Sequence, residues 1–254
     1  YLYSFFFLFL FLISCTENIE NKTEFNYFSE QFSDIKILRY QIPGFDELSL
    51  SQKKLVYYLT QAGLAGRDIM YDQNYRHNIA IRTALENIYE NYDGDKSSEN
   101  WKSFEVYMKR IWFSNGIHHH YSNDKHRPEF SLDYLEKLLN ETDTKLNKEA
   151  FDVIFNNEDD KKVNLDQSKG LIKGSAVNFY GPDVTAQDVD FYYSEVKKVL
   201  NPKKPISLGL NSKLVKENGK LVEKVWKMGG MYNDEIKNII YWLSKASEHA
   251  ENIK

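Results

Sequence analysis

Three adjacent histidines, His118, His119 and His120, followed closely by His126, are the side chains of this sequence best suited to chemistry. Alternate residues of an extended segment share a face, so His118 and His120 make a possible zinc half-site. Either His126 or Asp124 would be the third ligand. Three neighbouring imidazoles are a loose ligand pattern, however, and histidine serves equally well as a hydrogen-bonding loop residue. The preferred reading is that they are hydrogen-bonding loop residues, with a metal set of His118, His120 and His126 as the alternative. Asn115, Asn123, Asp124, Lys125 and Pro128 complete a polar stretch of the kind that a rigid scaffold holds out for binding.

Other catalytic arrangements are missing. His77 is followed by Asn, and Glu248-His249 stands in the wrong order for a His-Glu-x-x-His zinc helix. The sequence contains no Gly-x-Ser-x-Gly elbow, no Walker loop and no Gly-x-Gly-x-x-Gly. Cys15 is the only cysteine, which rules out a disulfide within the chain. Acidic runs such as Glu158-Asp159-Asp160 read as solvated loop.

The elements that must position the histidine loop are mostly helical. Trp101, Phe104, Met108, Ile111 and Trp112 recur at helical spacing and form one apolar stripe leading into the loop. Upstream, Ser49 or Ser51 caps a helix with Leu55, Val56, Leu59 and Ala62 on one side. A second helix runs from Asn78 to Tyr92, with Ile81, Ala84, Leu85 and Ile88 facing inward. Ser131 opens a short helix bearing Leu135, Leu138 and Leu139, and residues 156–169 form an exposed excursion. Ala176–Tyr180 is a short strand stopped by Gly181-Pro182. Thr185 and Asp188 then make a capping box for a helix through Val189, Tyr193, Val196 and Leu200. Asn218-Gly219 joins KLVKE to KLVEKV in a type I′ hairpin, because both turn positions need positive φ. A last helix, from Asp234 to Ala250, buries Ile236, Ile239, Ile240 and Leu243. The pattern is α+β: mostly helical with a small antiparallel strand cluster.

The chain has 254 residues, enough for one good core, and 33 basic against 37 acidic side chains give a net charge of -4. No basic stripe offsets that balance, which argues against nucleic acid as a partner. Residues 1–14 read as the signal peptide of a bacterial lipoprotein, 15–34 as a linker and 35–254 as the folded part. Leu12-Ile13-Ser14-Cys15 resembles a lipobox, which makes Cys15 the site of lipid attachment. Thr16 in place of Asp points to the outer membrane of the cell envelope, with membrane contact through the lipid anchor alone. The first residue is Tyr and no basic segment precedes the apolar run, so the start is expected to be truncated.

Several tracts in order resemble the dipeptidyl peptidase III family, the M49-type zinc exopeptidases, in its Bacteroidetes-like bacterial branch. They are the stretch from Ile42 to Glu86, the Phe113-Ser114-Asn115-Gly116 loop with His120-Tyr121-Ser122-Asn123-Asp124-Lys125, Asn178 to Val189, and the hairpin with the following Trp226-Lys227-Met228-Gly229-Gly230-Met231-Tyr232. The loop departs into histidines after Gly116, so no family role carries through it.

The resemblance implies a two-lobed enzyme more than twice as long. In that enzyme a helical upper lobe holds zinc through His-Glu-x-x-x-Gly-His and a later glutamate, and the lower lobe contains a small β-barrel. The signature is absent here, so the chain would be the N-terminal, mostly lower-lobe part, with no metal expected on it and no catalytic residue of its own. Family chemistry would be attack of a zinc-polarised water on the second peptide bond, with the substrate backbone paired to a strand of the lower lobe. On this reading Asn178 and Tyr180, alternate residues of one strand, face the peptide, or Tyr180 only packs in the barrel with its hydroxyl at the rim; Asn115 and His118 line the cleft or brace the loop. A complete, non-catalytic surface lipoprotein that binds peptides or a partner is the other reading.

Overall fold

Ser49, Ser98, Ser131, Asn147 and Thr185 each accept a backbone N–H from three residues on, and each starts a helix. Such a bond satisfies a donor that the first helical turn leaves without an internal partner. The computed structural model describes residues 25–156 and 161–251. Its helices are α1 (Leu50–Ala65), α2 (Arg67–Asn74), α3 (Asn78–Asn91), α4 (Glu99–Ser114), α5 (Leu132–Glu141), α6 (Lys148–Phe155), α7 (Ala186–Val199) and α8 (Asn233–Ser247). Capping boxes close at both Ser49–Gln52 and Thr185–Asp188.

The strands are β1 (Phe28–Phe32), β2 (Ile35–Leu38), β3 (Ser212–Glu217) and β4 (Lys220–Val225). They form two separate antiparallel hairpins, β1–β2 and β3–β4. The fold class is therefore α+β, and among the described residues the sheets stay two-stranded with no closed barrel. Asn218 and Gly219 take φ of 51° and 76°, and Glu217 pairs with Lys220, as a type I′ turn requires.

The chain divides into two units, and the first extends to Ile42. Its described part is the β1–β2 hairpin, which starts inside the stretch read as linker. There the Arg39 amide bonds to the Tyr27 carbonyl at 2.7 Å and the Arg39 guanidinium lies 5.4 Å from the Phe25 ring.

The second unit, from Pro43 onward, holds the core. Ile81, Leu85 and Ile88 of α3 pack with Phe104, Met108 and Ile111 of α4, and Leu135 and Leu138 of α5 join them. Tyr92 stacks on Trp101 at 4.8 Å and closes one end. Trp112 departs from the predicted stripe: it is 37% exposed, and its indole N–H donates to Glu86 at 2.8 Å. Tyr107, one position before Met108, takes the buried place instead.

Two helices, α2 and α6, have no counterpart in the sequence reading. Each is only eight residues long, too short for an apolar stripe to declare itself. Helix α1 packs against α8, with Tyr58 stacked on Trp242 at 6.0 Å. Here the predicted faces need correction: Val56, Leu59, Ile240 and Leu243 are exposed, and Ala62 and Ala246 are the buried residues of the pair. No helix among the described residues is long and apolar enough to cross a membrane. The signal and lipobox readings, Cys15 included, lie outside the described residues.

Candidate functional site

The histidine loop starts where α4 stops. Asn115 takes the left-handed conformation with φ 52°, and the Gly116 amide bonds back to the Ile111 carbonyl at 3.0 Å. Ile117 is fully buried, and His118 pairs with Lys125 as an antiparallel bridge. The loop closes through His119 N–H to the Asp124 carbonyl and His126 N–H to the Ile117 carbonyl, both at 2.7 Å.

Each histidine has a separate environment. His118 is buried, with its ring edge-on to Tyr75 at 5.3 Å. His119 uses Nδ1 to accept the amides of Tyr121 at 3.2 Å and Ser122 at 3.1 Å, which pins the loop tip. His120 lies edge-on to Phe113 at 5.0 Å and stacks on His119. His126 Nε2 meets Ser114 Oγ at 3.0 Å, and burial first, then the charge of Arg110, holds its pKa down to about 4. Among the described residues no group of three or more His, Cys, Asp or Glu side chains is placed to hold a metal ion. In the structure His118, His120 and His126 pack individually, against Tyr75, Phe113 and Ser114.

Lys125 is buried and donates to the carbonyls of Val153 at 3.0 Å and Asn156 at 2.9 Å, and Arg127 donates to the same Asn156 carbonyl. Both cations therefore sit at the C-terminal end of α6, where the helix dipole favours positive charge. These contacts give Lys125 a structural role that its place in a polar loop concealed.

Asn178 and Tyr180 are brought together, though not by the predicted strand. Only Tyr180 pairs, as an isolated parallel bridge to Leu214, through Leu214 N–H to Phe179 O at 3.1 Å and Gly181 N–H to Leu214 O at 2.8 Å. Asn178 instead sits in a turn, its amide bonded to the Gln73 carbonyl of α2 at 2.8 Å. The carboxamide oxygen of Asn178 accepts from Lys213 Nζ. Lys213 is pushed below the ordinary lysine range, chiefly by burial, with Asp72 opposing and Arg76 and Lys224 assisting.

Both residues border a cavity of about 370 Å³, together with Tyr75, Arg76, Lys173 and Ser175. Asn115 and His118 are not among its walls. Asn115 caps α4 and receives a bond from Asn74 Nδ2 on its carbonyl at 3.0 Å, while His118 lies behind Tyr75. The loop and the cavity wall are nonetheless tied through residues 161–164. Lys162 N–H bonds to the Asn123 carbonyl at 2.9 Å, and the amides of Ala176 and Val177 bond to Lys161 and Lys162 at 3.0 and 3.1 Å. The segment read as an exposed excursion thus joins the two halves of the site, with Asn164 buried at its centre.

Sequence reasoning passed over Arg76 and Asn78. Arg76 Nε donates to His77 Nε2 at 3.0 Å, which fixes the guanidinium beside the cavity. His77 is buried, and burial followed by the Arg76 charge lowers its pKa, so a neutral ring is there to accept the bond. The adjacent Tyr75-Arg76-His77-Asn78 run was the available signal, since polar residues packed between two helices must be spoken for when buried.

No family model matches the chain, and no curated protein does. Among solved structures, the chain is similar to DPP III from Caldithrix abyssi, with a TM-score of 0.50 and 18% sequence identity. That likeness covers 84% of this chain and 29% of the other, so the chain spans less than a third of its neighbour's length. At this identity the two share a fold, and the likeness extends to nothing finer.

Proposed function

We propose that the chain is the N-terminal, substrate-holding part of a zinc-dependent dipeptidyl peptidase that releases dipeptides from peptide N-termini. The observation that carries this reading is the cavity bordered by Asn178 and Tyr180 beside strand β3, within a fold similar to that of a DPP III. Peptide binding suits this geometry, because β4 is an edge strand whose outer main-chain groups have no neighbouring strand among the described residues. The chain's own residues would position the peptide, and the metal and its ligands would come from polypeptide beyond this sequence. The lipobox-like segment ending at Cys15 supports attachment to the outer membrane by a lipid anchor.

A second reading is a non-catalytic surface lipoprotein that binds peptides or a protein partner. Reading the gene past Lys254 separates the two. An open frame reaching His-Glu-x-x-x-Gly-His supports the peptidase, and a stop codon there overturns it. In the longer protein, Asn178→Ala and Tyr180→Phe should raise KM for dipeptidyl substrates with kcat little changed. Unchanged KM with unchanged stability would remove both residues from the site.

A further inference from the structure

The walls of the Asn178 cavity carry one sign of charge. Arg76 and Lys173 are its charged residues, and no Asp or Glu lines it. Its other polar side chains, Tyr75, Ser175, Asn178 and Tyr180, carry hydroxyl or carboxamide groups that can donate to an anion. The Asn178 carboxamide oxygen is taken by Lys213, which leaves Nδ2, a donor, for a ligand. Ser175 Oγ accepts the Asn164 amide at 2.9 Å and keeps its hydroxyl proton to donate. Arg76 spends Nε on His77 and keeps its two terminal nitrogens, and Lys173 Nζ is a donor only.

We infer that this cavity is a site for an acceptor-only anion of the carboxylate class, held by Arg76 and Lys173 at its mouth and Asn178 Nδ2 in its wall. The inference rests on the peptide reading only for the source of the carboxylate, which is the C-terminus of a short bound peptide. A volume of about 370 Å³ suits a peptide end rather than a long segment. Behind the wall the charge is mixed, since Lys213 feels Asp72 as well as Arg76 and Lys224. A planar guanidinium anchored through one nitrogen suits two-point contact with a carboxylate.

The test is calorimetric titration of the full chain with acetyl-Ala-Ala-Ala as free acid, with the same peptide as its C-terminal amide, and with inorganic phosphate. The free acid should bind at least about tenfold more tightly than the amide, the range of a charge-assisted hydrogen bond. Arg76→Gln should erase that preference. Lys173→Gln, which alters an exposed side chain, should reduce it without touching the fold. Acid and amide of equal affinity would overturn the anion site while leaving peptide binding intact. Phosphate binding that Arg76→Gln abolishes, with neither peptide bound, would uphold the anion site and defeat the peptide reading. A chain that takes up none of the three would defeat both.

Discussion

The side-chain carbonyl of Asn78 accepts the Ile117 amide at 3.0 Å, while its Nδ2 donates to the Tyr71 carbonyl at 3.0 Å. One fully buried carboxamide thereby ties α2, the start of α3 and the entrance of the histidine loop. Asn78→Ala would leave the buried Ile117 N–H without a partner, while the Tyr71 carbonyl keeps its bond from the Tyr75 amide at 3.2 Å. At about 1–3 kcal/mol for such a group, the substitution should lower unfolding free energy by roughly that amount in urea titration. A loss under about 1 kcal/mol would mean that water or a shifted backbone replaces the bond to Ile117.

Gly116 and Gly219 both have positive φ, at 140° and 76°, but their surroundings differ. A Cβ on Gly116 would lie 2.0 Å from Asn78 Nδ2, whereas one on Gly219 would meet nothing within 4 Å. Gly219→Ala should therefore cost only the backbone strain of a left-handed residue, about 1–2 kcal/mol. Gly116→Ala must also displace the buried clamp and should cost clearly more, with the histidine loop losing amide-exchange protection. Equal midpoints for the two variants in denaturant would contradict this account.

The legible parts of the fold were those whose signal is local. Asn218-Gly219 fixes its own turn, and the Thr185–Asp188 box and the Ser131 cap mark helix starts that the structure confirms. The stripe of α3 was also readable, because one partner face buries it. Helices α2 and α6 were too short to show a period, and Ala176–Tyr180 had strand composition but only one pairing partner, at Tyr180. The site followed the same rule. Asn178 and Tyr180 do border one cavity, yet Arg76 reaches it from a turn roughly 100 residues upstream, which no sequence window joins. Burial of Lys125 depends on where α6 ends and His118 packs against Tyr75, neither of which loop composition can show.

Acid should weaken this fold through His126. In the folded chain its pKa is held down to about 4, by burial first and then by Arg110, against an ordinary value of 6.5. Between those values the unfolded chain binds the extra proton, so stability rises with pH across the window. The contribution is complete above about pH 6.5 and is lost as pH falls towards 4, amounting to as much as about 3 kcal/mol. His77 and His120, both shifted down chiefly by burial, act in the same direction. His126→Gln should flatten the fall in urea midpoint between pH 7 and pH 4, leaving only the share of the other two. An unaltered slope would show that His126 is not the group responsible.

Helix α1 predicts how the isolated chain behaves in solution. Leu50 and Leu64 are exposed on one flank and Val56 and Leu59 on another, while α8 covers only the side that carries Tyr58 and Ala62. A helix apolar on more than one side is one that proteins normally bury. On α8, Ile240, Tyr241 and Leu243 add exposed apolar surface to the same pair. Apolar patches of this kind on a free chain drive association. The chain should bind a hydrophobic dye such as ANS and show a concentration-dependent rise in sedimentation coefficient. Leu64→Glu with Val56→Lys should lower both signals without shifting the unfolding midpoint, because neither side chain is buried. A monodisperse monomer that ignores the dye would show that these side chains are too scattered to act as a patch.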